Sequence, residues 1–167
     1  MAAKTAVPVD SKEFFDALAA VMNAHPERFD PLGWFDLDLG VVISRQSAEP
    51  LVLALRFRGS RCEDVRESFP DDSVDCVVEG PVTAWAEMVD DIVVNGRATG
   101  RQTLSSLVLL GERIRLRGSD PLGVDRFFRV AESVQVFFDG AGEALGASTV
   151  PGTESLREEV VQVHARH

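Results

Sequence analysis

Histidine and cysteine most often carry nucleophilic or metal chemistry, and this chain of 167 residues holds three of the first and two of the second. His25 closes an apolar helical stripe just before Pro26, where a helix-terminal, partly buried imidazole is the plain reading. His164 and His167 stand three apart in the C-terminal HARH. A zinc site would need further ligands held on something rigid, and that segment offers none. Cys62 and Cys76 lack CxxC spacing, and Cys76 alternates with valines as a buried structural thiol would. Two adjacent acid pairs, Asp71-Asp72 and Asp90-Asp91, are not catalytic dyads, because neighbours on a helix point about 100° apart. Neither a GxSxG elbow nor an HExxH helix occurs. The glycines of GAGEALG, residues 140–146, follow a helix instead of a strand, so they read as a helix stop and linker, not a dinucleotide loop. Tyrosine is absent. The residues therefore point away from an enzyme and require no metal and no cofactor.

Composition narrows the partners. A formal charge of −10 disfavours nucleic acid and anionic membranes, both of which select a basic face. With 45% hydrophobic and 26% charged residues the chain reads as an ordinary globular domain, long enough to bury one substantial core. No apolar run approaches the ~18 residues of a membrane span, so stable membrane insertion is not expected. The N-terminal MAAKTAVPVD does not resemble a signal peptide, and a cytoplasmic location is the expectation.

The elements follow from hydrophobic period. Asp10 and Ser11 offer N-caps for a first helix with Phe14, Leu18, Val21 and His25 on one stripe, ended by Pro26. WFDLDLGVVIS and PLVLALRFRG alternate as a strand pair, with Phe35, Leu37, Leu39, Val41 and Ile43 facing Leu51, Leu53, Leu55 and Phe57. DSVDCVVEG sends Val74, Cys76 and Val78 inward, and ERIRLRG sends Ile114 and Leu116 inward. These strands make a sheet with one dry and one wet face, on which strands bearing acids can lie beside strands bearing arginines. A helix over 83–94 carries Trp85, Met88, Val89 and Ile92 on one stripe, and a short segment over 102–109 directs Leu104 and Leu107 inward. One further helix runs from the cap at Asp120 to Gly140, with Phe127, Ala131, Val134 and Phe138 central and Phe128 and Val136 as apolar surplus. Beyond Gly140 a linker precedes a short helix capped at Ser155 and ending near Val163. Helices over a dry sheet face build either a filled core or an apolar pocket.

Two passages carry a resemblance. The strand-Gly-helix run VVEGPVTAWAEMV and the strand-Gly-Asp run IRLRGSD, within this element order, resemble the sterol carrier protein type-2 (nonspecific lipid-transfer) domain from about Lys12 to Gly140. The resemblance implies an α+β fold: a single-layer, mixed but mostly antiparallel five-stranded sheet with helices on one face. The fifth strand then falls in 59–70 or 94–101. It also implies a domain at 1–140 with a C-terminal extension at 141–167. Its implied function is non-enzymatic binding or carriage of a sterol, fatty acid or acyl thioester between sheet and helices. The residues placed on that apolar cavity are Trp85, Met88, Ile92, Leu104, Leu107, Phe127, Val134 and Phe138. The alternative is the same fold with a filled cavity, acting on a protein partner or as a homodimer.

Overall fold

The alternation at 35–44 becomes strand β1 (Phe35–Ser44) in the computed structural model, which describes residues 7–68, 73–110, 112–118 and 120–148. It is flanked by β2 (Leu51–Gly59), β3 (Arg61–Glu67), β4 (Cys76–Pro81) and β5 (Arg115–Gly118) in the order β3-β2-β1-β4-β5. β1 and β4 run parallel and every other pair is antiparallel, giving the mixed five-stranded sheet that the resemblance implied. Leu39, opposite both Leu55 and Cys76, anchors the inner face.

β3 is the strand that alternation did not reveal, and its register gives the reason. Phe57 faces Cys62 and Leu55 faces Val65, so a bulge places two inward residues three apart instead of two. That breaks the period on which strand recognition rests. β3 is also an edge, and helix α1 (Lys12–Ala24) covers it. The Asn23 amide donates to the Cys62 carbonyl at 3.0 Å and accepts from the Cys62 N–H at 2.9 Å, satisfying edge groups that would otherwise invite another strand.

The inner face meets α1, α2 (Val82–Asn95) and the helices after β5. Gly80, at the strand-to-helix turn, has a backbone reason: a Cβ there would lie 2.9 Å from the Arg113 carbonyl oxygen. Gly123 has a stronger one, since its Cβ would overlap the Asp75 carbonyl oxygen at 1.9 Å. The helix expected from Asp120 to Gly140 is two helices, α4 (Pro121–Arg129) and α5 (Ala131–Asp139). β-Branched Val130 leaves helical dihedrals between them at φ −119°, ψ 16°. Residues 141–148, read as linker from their glycines, form α6 (Ala141–Ser148). Gly140 keeps a right-handed φ of −70° and accepts the Ala144 N–H at 2.9 Å, so it redirects the chain without stopping it. Small Ala141 and Ala144 are buried in the core, and Arg28 holds α6 through Glu143 at 2.6 and 3.0 Å. The helix expected at 155–163, His164 and His167 lie outside the described residues.

The outer face carries the anticipated charge pairing: Asp38 with Arg58 at 3.0 Å and Arg56 at 3.5 Å, and Glu79 with Arg117 at 3.4 Å. It is not wholly wet. Val74, expected to face inward, instead joins Val42, Ala54 and Val77 in a small apolar cluster separate from the main core. The strand begins after it, at Cys76, where Asp75 exchanges hydrogen bonds with Asp38 and takes one from Arg126.

Candidate ligand site

Trp85, Met88 and Ile92 come from α2, Leu104 and Leu107 from α3 (Leu104–Leu109), Phe127 from α4, and Val134 and Phe138 from α5. All eight are buried in one apolar core against the inner sheet face. The rings interlock. Phe138 lies tilted against Trp85 at 5.6 Å and meets Phe15 and Phe137 edge-on at 6.0 and 5.3 Å, while Phe137 meets Phe57 at 5.0 Å. Phe15 belongs to this group although the stripe through Phe14 and Leu18 did not include it; the adjacent Phe14-Phe15 pair was its sequence signal. The Trp85 indole N–H donates to the Gly80 carbonyl at 3.2 Å, so its orientation is fixed by the same glycine turn. Among the described residues the one buried polar residue is Ser133.

One of the eight also reaches the surface. Leu107 lines a cleft of about 440 Å³ with Arg101, Gln102, Ser106, Leu110 and Arg113, within the ~300–1,000 Å³ range of small-molecule sites. Sequence reasoning named only Leu107 here, because the cleft joins α3 to the loop before it, whose path no period encodes. That loop is held by four groups. Asp91 accepts the Thr99 N–H at 2.6 Å, which holds its carboxyl below the ordinary range. Asp139 accepts the Ala98 N–H at 3.0 Å and the Gln135 amide at 2.9 Å, yet burial dominates and pushes its pKa up. Gln135 accepts the Leu104 N–H at 2.7 Å, and the Thr103 hydroxyl caps α3 by accepting the Ser106 N–H at 3.2 Å. On the far wall Arg113 donates to Glu87 at 2.7 Å, lowering the Glu87 pKa and raising its own. Arg101 is exposed and makes no ion pair among the described residues. The cleft thus joins an apolar floor at Leu107 to the Arg101 cation and the Arg113–Glu87 ion pair at its mouth.

A larger groove of about 550 Å³ lies where Asp10, Lys12, Glu13, Arg45, Glu49 and Glu67 gather. It mixes both signs of charge and touches none of the eight core residues, so the α3 cleft is the better candidate despite its smaller volume. Other chemistry finds little support. Burial pushes both Cys62 and Cys76 up to about 12, leaving inert thiols at neutral pH. His25 hydrogen-bonds Glu27 at 3.0 Å at the end of α1, away from the cleft. Among the described residues no three metal-ligating side chains converge, and no helix is long and apolar enough to cross a membrane.

This architecture occurs in solved proteins. The crystal structure of a sterol carrier protein 2 superposes with a TM-score of 0.62 at 14% identity, covering 81% of this chain and 98% of that one. The solution structure of a Thermus thermophilus protein, described there as a candidate sterol carrier protein, superposes with a TM-score of 0.63 at 12% identity, covering 89% of this chain and 97% of that one. No protein-family model matches the sequence, and no curated protein matches it as a relative. At such identities the likeness establishes the fold.

Proposed function

We propose, with the sterol carrier protein 2 fold as premise, that this chain binds and carries an amphiphile with a long apolar tail, without transforming it. The observation that carries the reading is the α3 cleft, where Leu107 belongs both to the surface opening and to the dry core. The tail lodges at Leu107 and the acidic head meets Arg101 and Arg113, which favours a fatty acid or acyl thioester over a sterol. Going deeper requires the Trp85–Phe138 contact to part, after which Met88, Ile92, Leu104, Phe127 and Val134 become the wall. Burying ten methylenes contributes about 8 kcal/mol. Lost ligand freedom and the parting of rings take back several kcal/mol of that, on the order of half, leaving about 4 kcal/mol, roughly millimolar affinity, from the tail alone, with weak chain-length selectivity.

Trp85 is fully buried, whereas Trp34 is 86% exposed. A Trp34→Phe protein therefore reports from the core alone. Titration with a long-chain fatty acid is expected to change Trp85 emission saturably, with one lipid per chain in native mass spectra, and Arg101→Glu to weaken binding of the acid more than of its methyl ester. An unchanged Trp85 spectrum with no lipid retained in the mass spectrum overturns the carrier reading. A concentration-dependent dimer under the same conditions would favour a filled interaction module.

A further inference from the structure

Among the described residues, one buried polar atom belonging to the lining of the α3 cleft lacks a hydrogen-bond partner. Gln102 closes the turn Gly100–Gln102 before α3 and lines the cleft beside Arg101, Ser106 and Leu107. Arg113 first, and the Gln102 side chain after it, hydrogen-bond the Glu87 carboxylate and hold its pKa below the ordinary range. An ionised carboxylate only accepts, so the amide nitrogen of Gln102 faces Glu87 and the amide oxygen is turned away from it. That oxygen, Oε1, is shut off from solvent, and no group among the described residues donates to it. Rotating the amide to repair this would set its oxygen against the Glu87 carboxylate, so the neighbouring acid fixes the orientation. The other atom of this kind, Arg45 Nε, lies 3.1 Å from an Asp10 carboxylate oxygen and so has its charge partner. Buried acceptors are seldom left unpaired, and one in the lining of a ligand cleft is explained by a donor that arrives with the ligand.

We propose that the head of the carried amphiphile bears a hydrogen-bond donor on the carbon next to its carboxylate, and that Gln102 Oε1 accepts from it; this rests on the carrier reading above. The carboxylate meets the exposed Arg101, the tail lodges at Leu107, and the N–H or O–H between them donates to Gln102. Two chemistries satisfy that pattern: an N-acyl amino acid through its amide N–H, and a 2-hydroxy fatty acid through its hydroxyl. A plain fatty acid, ionised at neutral pH, offers no donor and leaves Oε1 unpaired. The fold has already stripped Oε1 of water, so a ligand donor gives up only its own hydration in bonding it. Methylene contacts discriminate poorly between tails, whereas a site built to hydrogen-bond a ligand group rejects analogues that lack it. Gln102 is thus the residue through which a cleft with an apolar floor distinguishes among acids of equal chain length.

The test is calorimetric titration of the full chain with two pairs of compounds, each below its micellar concentration: N-lauroylglycine against N-lauroylsarcosine, and 2-hydroxydodecanoate against dodecanoate. N-Lauroylsarcosine keeps the tail and carboxylate of N-lauroylglycine and replaces the amide N–H with an N-methyl group. In at least one pair the donor compound is expected to bind about five- to ten-fold tighter than its donor-free counterpart, the worth of one neutral hydrogen bond. A preference within the first pair identifies the amide N–H as the donor, and one within the second identifies the hydroxyl. Gln102→Met, of similar length and without the acceptor, should erase the preference by weakening the donor compound alone, with dodecanoate bound as by the parent. Each ratio is read on a single protein, so a general loss of stability leaves it unchanged. Equal affinities within both pairs, or a preference that survives Gln102→Met, overturns the donor proposal and leaves the carrier reading standing. Failure of all four compounds to bind sinks the carrier reading and the donor proposal with it.

Discussion

Phe138→Ala asks whether the aromatic layer is a packed core or a set of rings around a space. Phe138 is 1% exposed and contacts Trp85, Phe15 and Phe137 at 5.6, 6.0 and 5.3 Å between centroids. Deleting a buried phenylalanine from a filled core costs about 3–5 kcal/mol, combining lost transfer energy with the hole left behind. Three ring partners place Phe138 in the upper part of that range, each aromatic pair contributing about 0.5–1.5 kcal/mol beyond area. We expect about 4 kcal/mol, with a melting midpoint lowered on the order of 10 °C. Phe138→Trp should also destabilise, by about 1–3 kcal/mol, because no slack exists for the larger ring. Urea unfolding in the Trp34→Phe background, followed through Trp85, measures both. The vacated volume adjoins Trp85, so Phe138→Ala should also take up more fatty acid. A cost below about 1.5 kcal/mol together with a tolerated tryptophan would refute the packed-core argument, since rings that border a void lose few contacts on truncation.

Two further perturbations probe the supports of the cleft. Burial raises the Asp139 pKa, so its folded value lies above its unfolded one; the stability it contributes is full below the ordinary aspartate range and is lost as pH rises through the folded value. Asp139→Asn keeps an acceptor for the Ala98 N–H, so urea midpoints across the weakly acidic range should show the variant gaining on the parent as pH rises. Gly123→Ala forces a Cβ onto the Asp75 carbonyl and should cost at least ~1–3 kcal/mol, whereas Gly142→Ala in α6, with nothing within 4 Å, should be neutral or stabilising by up to ~1 kcal/mol. Equal thermal shifts for the two alanines would contradict the close approach assigned to Gly123.

Local pattern carried most of the fold. Alternation, clearest at 35–39 and 55–58, gave β1 and β2 their faces, because one buried side leaves a period-two record in the sequence. The stripe of α2 and the caps at Ser11 and Asp120 were legible for the same reason: a helix writes its buried face and its unpaired N–H groups into adjacent residues. All eight proposed cavity residues proved to share one core, since apolar periodicity reports burial. It does not report what they are buried against. Contacts between residues distant in sequence decided that: the bulge that hid β3, the turn at Val130 that divided a single expected helix, and the α6 helix made from glycine-rich residues that looked like linker. The same contacts set Phe138 against Trp85 and brought Arg101, Leu107 and Arg113 around one opening, because packing and loop closure act between side chains whose separation along the chain carries no period.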